Sequence, residues 1–332
     1  MEIPHKPIPI LLEEAGIGNT CSMHILAMKR IKNRYANFRW NLYDNNGSYK
    51  GWFDWLPLWM RVGYWSPITV IFLCCFYSSM IIYKPKSLQF DIPSSGFDTF
   101  SFVGDCIVST WGISLLLYTI VSKDTYTGFY ISFTGWSWMV LTLRATLNIL
   151  SHCFLYVAAS SSPSIFFTSC LSNASYTLAI CSSALQLPTI VQAFITTTLW
   201  NVIFFPLIYF IAIPRHKMKE RAGFLKFNFS FFMNNIHICN LPLACINTIY
   251  DGSSGLHNNV RLFTNSDLYV GYVIVALYSM VYLFVLDRIG LHFYPIFCPR
   301  TSLCCVSFTI ILVLYYVLMT KANEIIVLIN SN

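Results

Sequence analysis

The stretch Met233-Asn-Asn-Ile-His-Ile-Cys-Asn-Leu-Pro-Leu243 sets one histidine and three asparagines inside a run otherwise apolar enough to cross a bilayer. An ionisable group at such depth is expensive, faces the bundle interior and marks a functional site by default. Two readings of His237 stand side by side. It is either a neutral imidazole bonded to a neighbouring helix or a base that activates a hydroxyl. A second polar set lies in "GFYISFTGWSWMVLTLRATLNILSH". There Ser132 and Thr134 open the segment, while Arg144, Asn148 and His152 recur at i, i+4 and i+8, one face of a helix. A hydroxyl early in this segment, paired with His237, would make a nucleophile and its base. The hydroxyl attacks an acyl carbon, and water resolves the acyl-enzyme. Arg144 suits a carboxylate or phosphate head, an interfacial position or an internal partner.

Positioning such residues is a task for helices in a membrane. The chain has 332 residues, 56% hydrophobic and 11% charged, with mean hydropathy +0.58. Soluble domains carry roughly 25% charged residues, so the polar surface needed to cover a globule is missing. Several runs reach the roughly 20 residues that span about 30 Å of hydrocarbon. The absence of apolar–polar alternation argues against a barrel. The fold class is therefore all-α, a polytopic helical bundle. The net charge of +7 clusters beside apolar segments, which fits cytoplasmic retention and anionic headgroups better than nucleic acid. The twelve cysteines form no CxxC pair and lie mostly in apolar runs, where they act as small hydrophobes. Cys298, Cys304 and Cys305 stand at an expected membrane edge, a setting suited to palmitoylation. The histidines show neither HxxxH nor HExxH spacing, so no metal or other cofactor is expected.

Residues 1–64 read as a cytoplasmic tail ending in a tryptophan-rich interfacial segment, with no cleavable signal at its start. Apolar segments follow at 65–83, 103–121, 129–157, 194–213, 229–250, 268–287 and 303–327. Serines, threonines and Asn173 dilute the stretch 164–186, which is expected to be re-entrant or to lie along the surface. Seven crossings with the N-terminus inside place the basic tail and "PRHKMKERAGFLK" in the cytoplasm, as the positive-inside tendency requires. An eighth crossing would move that loop outside. With seven, the helices starting near Phe129 and Phe229 run the same way, so residues early in each can meet. Asp105 and Asp287 fall at segment ends, where solvated roles are expected. Of the sequons at Asn46, Asn173 and Asn228, Asn173 alone falls outside.

Three segments carry a resemblance. "FYISFTGWSWMVL" resembles the "YLTF(W)" opening of the androgen-induced-gene-like family, membrane hydrolases of fatty acid esters of hydroxy fatty acids. "HICNLPL" is similar to that family's histidine segment, and "YSMVYLFVLDRIGLHFYPIF" to its tyrosine-to-"GxWxYPF" helix. The similarity covers roughly 100–327, with 65–83 as an extra span and 158–193 as an insertion. It implies a lipid ester hydrolase of the endoplasmic reticulum or plasma membrane whose partners are membrane lipids and its ester substrate. The family threonine falls on Ser132, with Thr134 two positions on as the alternative hydroxyl, and the family histidine on His237. His292 stands where the family has tryptophan. Arg144, Asn148 and Asn240 are the candidate substrate contacts. "HICN" and the tryptophan-rich entry also look like the rolling-stone membrane proteins, which implies a non-enzymatic role. A seven-span receptor or channel is the third reading.

Overall fold

Proline, serine and threonine decide much of how these apolar segments fold. In the computed structural model, residues 67–90, 99–121, 129–160, 165–213, 215–252, 261–282, 286, 297 and 303–331 are described, and no strand occurs among them. The helices are α1 (Pro67–Tyr83), α2 (Thr99–Val121), α3 (Phe133–Ser160), α4 (Ile165–Ala184), α5 (Gln186–Thr198), α6 (Met218–Asn228), α7 (Phe231–Asn234), α8 (Asn240–Gly252), α9 (Asn265–Val281) and α10 (Leu303–Asn330). Three wider, π-type stretches interrupt them, at Leu199–Phe204, Leu207–Ala212 and Asn235–Cys239.

Among the described residues, four helical runs are long and apolar enough to cross a membrane: Thr99–Val121, Phe133–Ser160, Thr168–Phe210 and Cys304–Asn330. Met218–Asn228 and Phe231–Thr248, bent by 56°, pass the same test only as a pair. The pattern of burial is that of a membrane bundle. α2 buries Ser101, Asp105, Ser109, Gly112 and Thr119 and turns Phe100, Ile107, Leu117 and Ile120 outward. Small and polar side chains let helices approach and bond to one another, while large apolar ones face lipid.

The chain forms two compact units, each discontinuous in sequence. The first takes Met1–Ile82 with Val275–Leu312, the second Tyr83–Ile274 with Val313–Asn332. In the first, an aromatic string runs from Tyr278 through Tyr282 and Phe297 to Phe308, with successive ring centroids 6.1, 5.9 and 5.0 Å apart. The second holds α2 to α8. Within it, α3 packs against α2, α4 and α5, and α8 packs against α5 and α2.

The expectation that 164–186 is re-entrant or surface-lying does not hold. Ile165–Ala184 is a helix that passes through Leu185 into α5, and the apolar run Thr168–Phe210 is 43 residues long. Ser169 and Ser172 are exposed, but Ser175 and Ser182 face inward: Ser175 meets Ser151 of α3, and the Ser182 hydroxyl donates to the Arg144 carbonyl. They serve interhelical bonding rather than a water-facing surface. Pro188 falls in the first turn of α5, where a missing N–H costs little. Asp105 is also not at a solvated end, being 3% exposed and inside α2. Of the sequons, Asn173 lies within α4 and Asn228 is buried, its amide oxygen accepting from Trp200 Nε1 at 2.6 Å. Asn46, residues 1–66, Asp287, His292 and Cys298 lie outside the described residues.

In a background without other cysteines, spin labels at Cys170 and Phe210→Cys should lie about 50–60 Å apart, at 1.5 Å per residue. A re-entrant 164–186 would bring them within about 30 Å, the hydrocarbon thickness. Pulsed dipolar spectroscopy distinguishes the two.

Candidate functional site

α3 begins with a capping turn. The Ser132 hydroxyl accepts from Gly135 N–H at 2.9 Å and donates to the Phe129 carbonyl at 2.7 Å. Such a cap satisfies one of the orphan donors at a helix start. A Cβ on Gly135 would meet the Phe129 carbonyl at 1.8 Å, so only glycine lets this turn fold over the helix start.

Beyond the cap, α3 and α8 run parallel in a fixed register. Asn240 Nδ2 donates to Ser137 Oγ at 3.0 Å, and Arg144 Nη1 donates to the Asn247 carbonyl at 3.1 Å. Each pair is 103 positions apart in the chain. Helices starting near Phe129 and Phe229 therefore do run the same way. Carried one turn back, the register sets His237 level with Thr134, three residues before Asn240 and Ser137 respectively. Thr134 and His237 are both buried.

His237 lies where two π-type stretches meet. Its ring stacks on Trp200 with centroids 4.4 Å apart and planes 10° from parallel. Its own carbonyl accepts from Asn201 Nδ2 at 3.0 Å. Both stretches lie beside a proline, Pro206 and Pro242, which cannot donate a backbone bond and so loosens the adjoining turn. π-type turns recur at functional sites. The Thr196 carbonyl is the imidazole's backbone hydrogen-bonding neighbour, and Nδ1 is buried with no partner. One turn on, Asn240 also donates to Thr196 Oγ1 at 3.2 Å, while its Oδ1 has no partner. Val202, Ile203 and Ile238, which flank these residues in sequence, are exposed apolar side chains. His237 is thus next in sequence to the exposed Ile238.

The other predicted residues divide. Arg144 and Asn148 are buried, and His152 meets the Phe102 ring edge-on at 6.1 Å. Arg144 is not held at an interface. It donates to the Asn247 side chain as well as its carbonyl, and Asn247 Nδ2 donates to Asp105. The fully buried guanidinium and carboxylate are thus joined through one amide. No three His, Cys, Asp or Glu side chains come together among the described residues. Sequence reasoning missed Ser137, Thr196 and Asn247. The signal for Asn247 was present, because His237, Asn240, Ala244 and Asn247 form one stripe at i, i+3, i+7 and i+10.

The fold and its burial pattern define an all-helical, multi-pass integral membrane protein with a polar seam inside its second unit. No protein-family model, no curated protein and no solved structure matches the chain.

Arg144→Met should lower the thermal stability of the detergent-solubilised protein, since hydrogen bonds to a charged group contribute about 1.5–3 kcal/mol. Asn247→Leu should do the same. The double variant should lose less than the two single losses added, because the residues share one network. Additive losses, read in a melt, would contradict the seam.

Proposed function

We propose that this protein hydrolyses esters of long-chain lipids within the bilayer, with Thr134 as nucleophile and His237 as base. The observation that supports this most is the parallel register of α3 and α8, which sets the two residues level in the bundle interior. The Ser132 hydroxyl is held in the cap of α3, donating to Phe129 and accepting from Gly135. The Thr134 oxygen attacks the acyl carbon as His237 takes its proton. The ester C–O bond breaks, and that proton passes to the departing alkoxide. His237 then takes a proton from water, whose oxygen cleaves the acyl-threonine, releasing the fatty acid and restoring the hydroxyl. The substrate enters sideways past Val202, Ile203 and Ile238, since an apolar surface admits an acyl chain. The similarity of "FYISFTGWSWMVL" and "HICNLPL" to the androgen-induced-gene-like hydrolases supports the same chemistry.

The topology that goes with this reading has seven crossings in the endoplasmic reticulum or plasma membrane, with residues 1–64 and 215–228 on the cytoplasmic side. Arg215, Lys217, Lys219, Arg221 and Lys226 favour that side. A second, non-enzymatic reading of the rolling-stone type is favoured by one observation. The imidazole is stacked on Trp200 and has the Thr196 carbonyl beside it, contacts that suffice for a packing role.

A fluorophosphonate probe separates the two, because it reacts with a hydroxyl made nucleophilic by a neighbouring base. Purified protein should label, and labelling should vanish in His237→Ala and Thr134→Ala but persist in Ser132→Ala. Expression and detergent elution should stay normal, since an interhelical hydrogen bond in a membrane averages about 0.6 kcal/mol. Folded wild-type protein that ignores the probe and leaves lipid esters intact would establish the non-enzymatic reading. For topology, Lys219→Cys should react with an impermeant maleimide only after permeabilisation, and labelling of intact cells would reverse the assignment.

A further inference from the structure

The unpartnered polar atoms around His237 continue beyond it. Gln192 lies one turn before Thr196 on α5 and is fully buried, yet neither Oε1 nor Nε2 has a hydrogen-bond partner. Across from it on α10, the fully buried Tyr315 hydroxyl faces the Gln192 side chain without closing a hydrogen bond. Its position is fixed by a close approach. A Cβ on Gly271 would meet the Tyr315 ring at 2.4 Å, so the ring occupies the space that glycine leaves. Tyr272 closes the other side, edge-on at 6.2 Å. The row therefore runs from Tyr315 and Gln192, past Thr196, to Asn240 Oδ1 and His237 Nδ1.

Leaving that many polar atoms without partners is costly in a protein interior, about 1–3 kcal/mol for each buried group. One primary amide has four hydrogen-bonding positions, two donating and two accepting, and a facing hydroxyl fills at most one of them. The row contains no lysine, arginine, aspartate or glutamate. The bundle's buried charges are used elsewhere: Asp105 and Arg144 meet through Asn247, and Arg261 pairs with Asp267.

We infer that the row from Tyr315 to His237 binds the head of an uncharged polyol lipid, such as a monoacylglycerol, and discriminates against carboxylate and phosphate heads. Hydroxyls of the head both donate to Gln192 Oε1 and Asn240 Oδ1 and accept from Gln192 Nε2 and Tyr315. A carboxylate would bring a charge into a row with no counter-charge, a far larger penalty than an unpaired hydroxyl. This deepens the proposed function, and rests on it only for the reacting end of the ligand.

Hexadecylglycerol, an ether with no ester to cleave, reads binding apart from hydrolysis. Purified full-length protein should retain the radiolabelled ether saturably. Gln192→Leu and Tyr315→Phe should each weaken retention about tenfold, the effect of losing a buried hydrogen-bond partner. Tyr315→Phe keeps the ring against Gly271 and removes one oxygen, so it serves even where Gln192→Leu fails to fold. Hexadecanoic acid and hexadecyl phosphate should not compete at equal concentration. Equal competition by either anion, unchanged retention in Tyr315→Phe, or no retention by folded wild-type protein overturns the inference. Retention without fluorophosphonate labelling upholds it while removing the Thr134–His237 chemistry, and labelling without retention does the reverse.

Discussion

Hydrocarbon offers a polar group no hydrogen bond, so an amide, hydroxyl or charge carried into the bundle is costly unless it finds a partner within the protein. Two asparagines of α8 meet part of that demand. Asn240 bonds to Ser137 of α3 and Thr196 of α5, and Asn247 joins Arg144 of α3 to Asp105 of α2. They stand seven residues apart, two turns along one face, so each reaches its neighbours at a different depth. Together they fix which helices surround α8 and at what height. A shift of α8 by one residue would break both sets of bonds at once.

The position of His237 follows from this lock and from a local departure from α-helical geometry. Between α7 and α8 the backbone widens just before Pro242, and across from it α5 widens before Pro206. A proline cannot donate to the carbonyl four residues back, and a widened turn changes where neighbouring side chains point. Here the two departures face each other. Trp200 stacks on His237, and Asn201 takes up its carbonyl. Hydrogen-bonding capacity is left over in the second unit on His237 Nδ1, Asn240 Oδ1 and Gln192, as it also is on Thr197 and Asn234. The charges of Asp105 and Arg144 instead hold helices together through Asn247.

The buried charges carry a different lesson. Asp105 and Arg144 are buried and do not reach toward solvent. Taking charges out of water is costly unless hydrogen bonds compensate for it, and Asn247 bonds to both the Arg144 guanidinium and the Asp105 carboxylate. The capping turn at Ser132 works on the same principle on a smaller scale. A hydroxyl that would otherwise be an attractive nucleophile is bonded on both sides to the backbone at the start of α3.

The sequence by itself determined the class: too few charges to cover a globule, runs of spanning length, and helices near Phe129 and Phe229 pointing the same way because the basic loop had to stay inside. It also marked His237 as the polar residue most in need of a reason, and Arg144, Asn148 and His152 as sharing one face of a helix. These are local or averaged properties, and hydropathy, charge and periodicity record them directly. Only the tertiary structure decided that 164–186 continues into a long helix, because hydropathy averages over a helix and cannot tell inward serines from water-facing ones. Only the tertiary structure showed the Ser132 hydroxyl bonded into the cap of α3 and brought in Ser137, Thr196, Gln192 and Tyr315. Those choices depend on the register between helices whose contacting residues stand 103 positions apart. Register is set by long-range hydrogen bonds, and it leaves no trace in the residues immediately beside them.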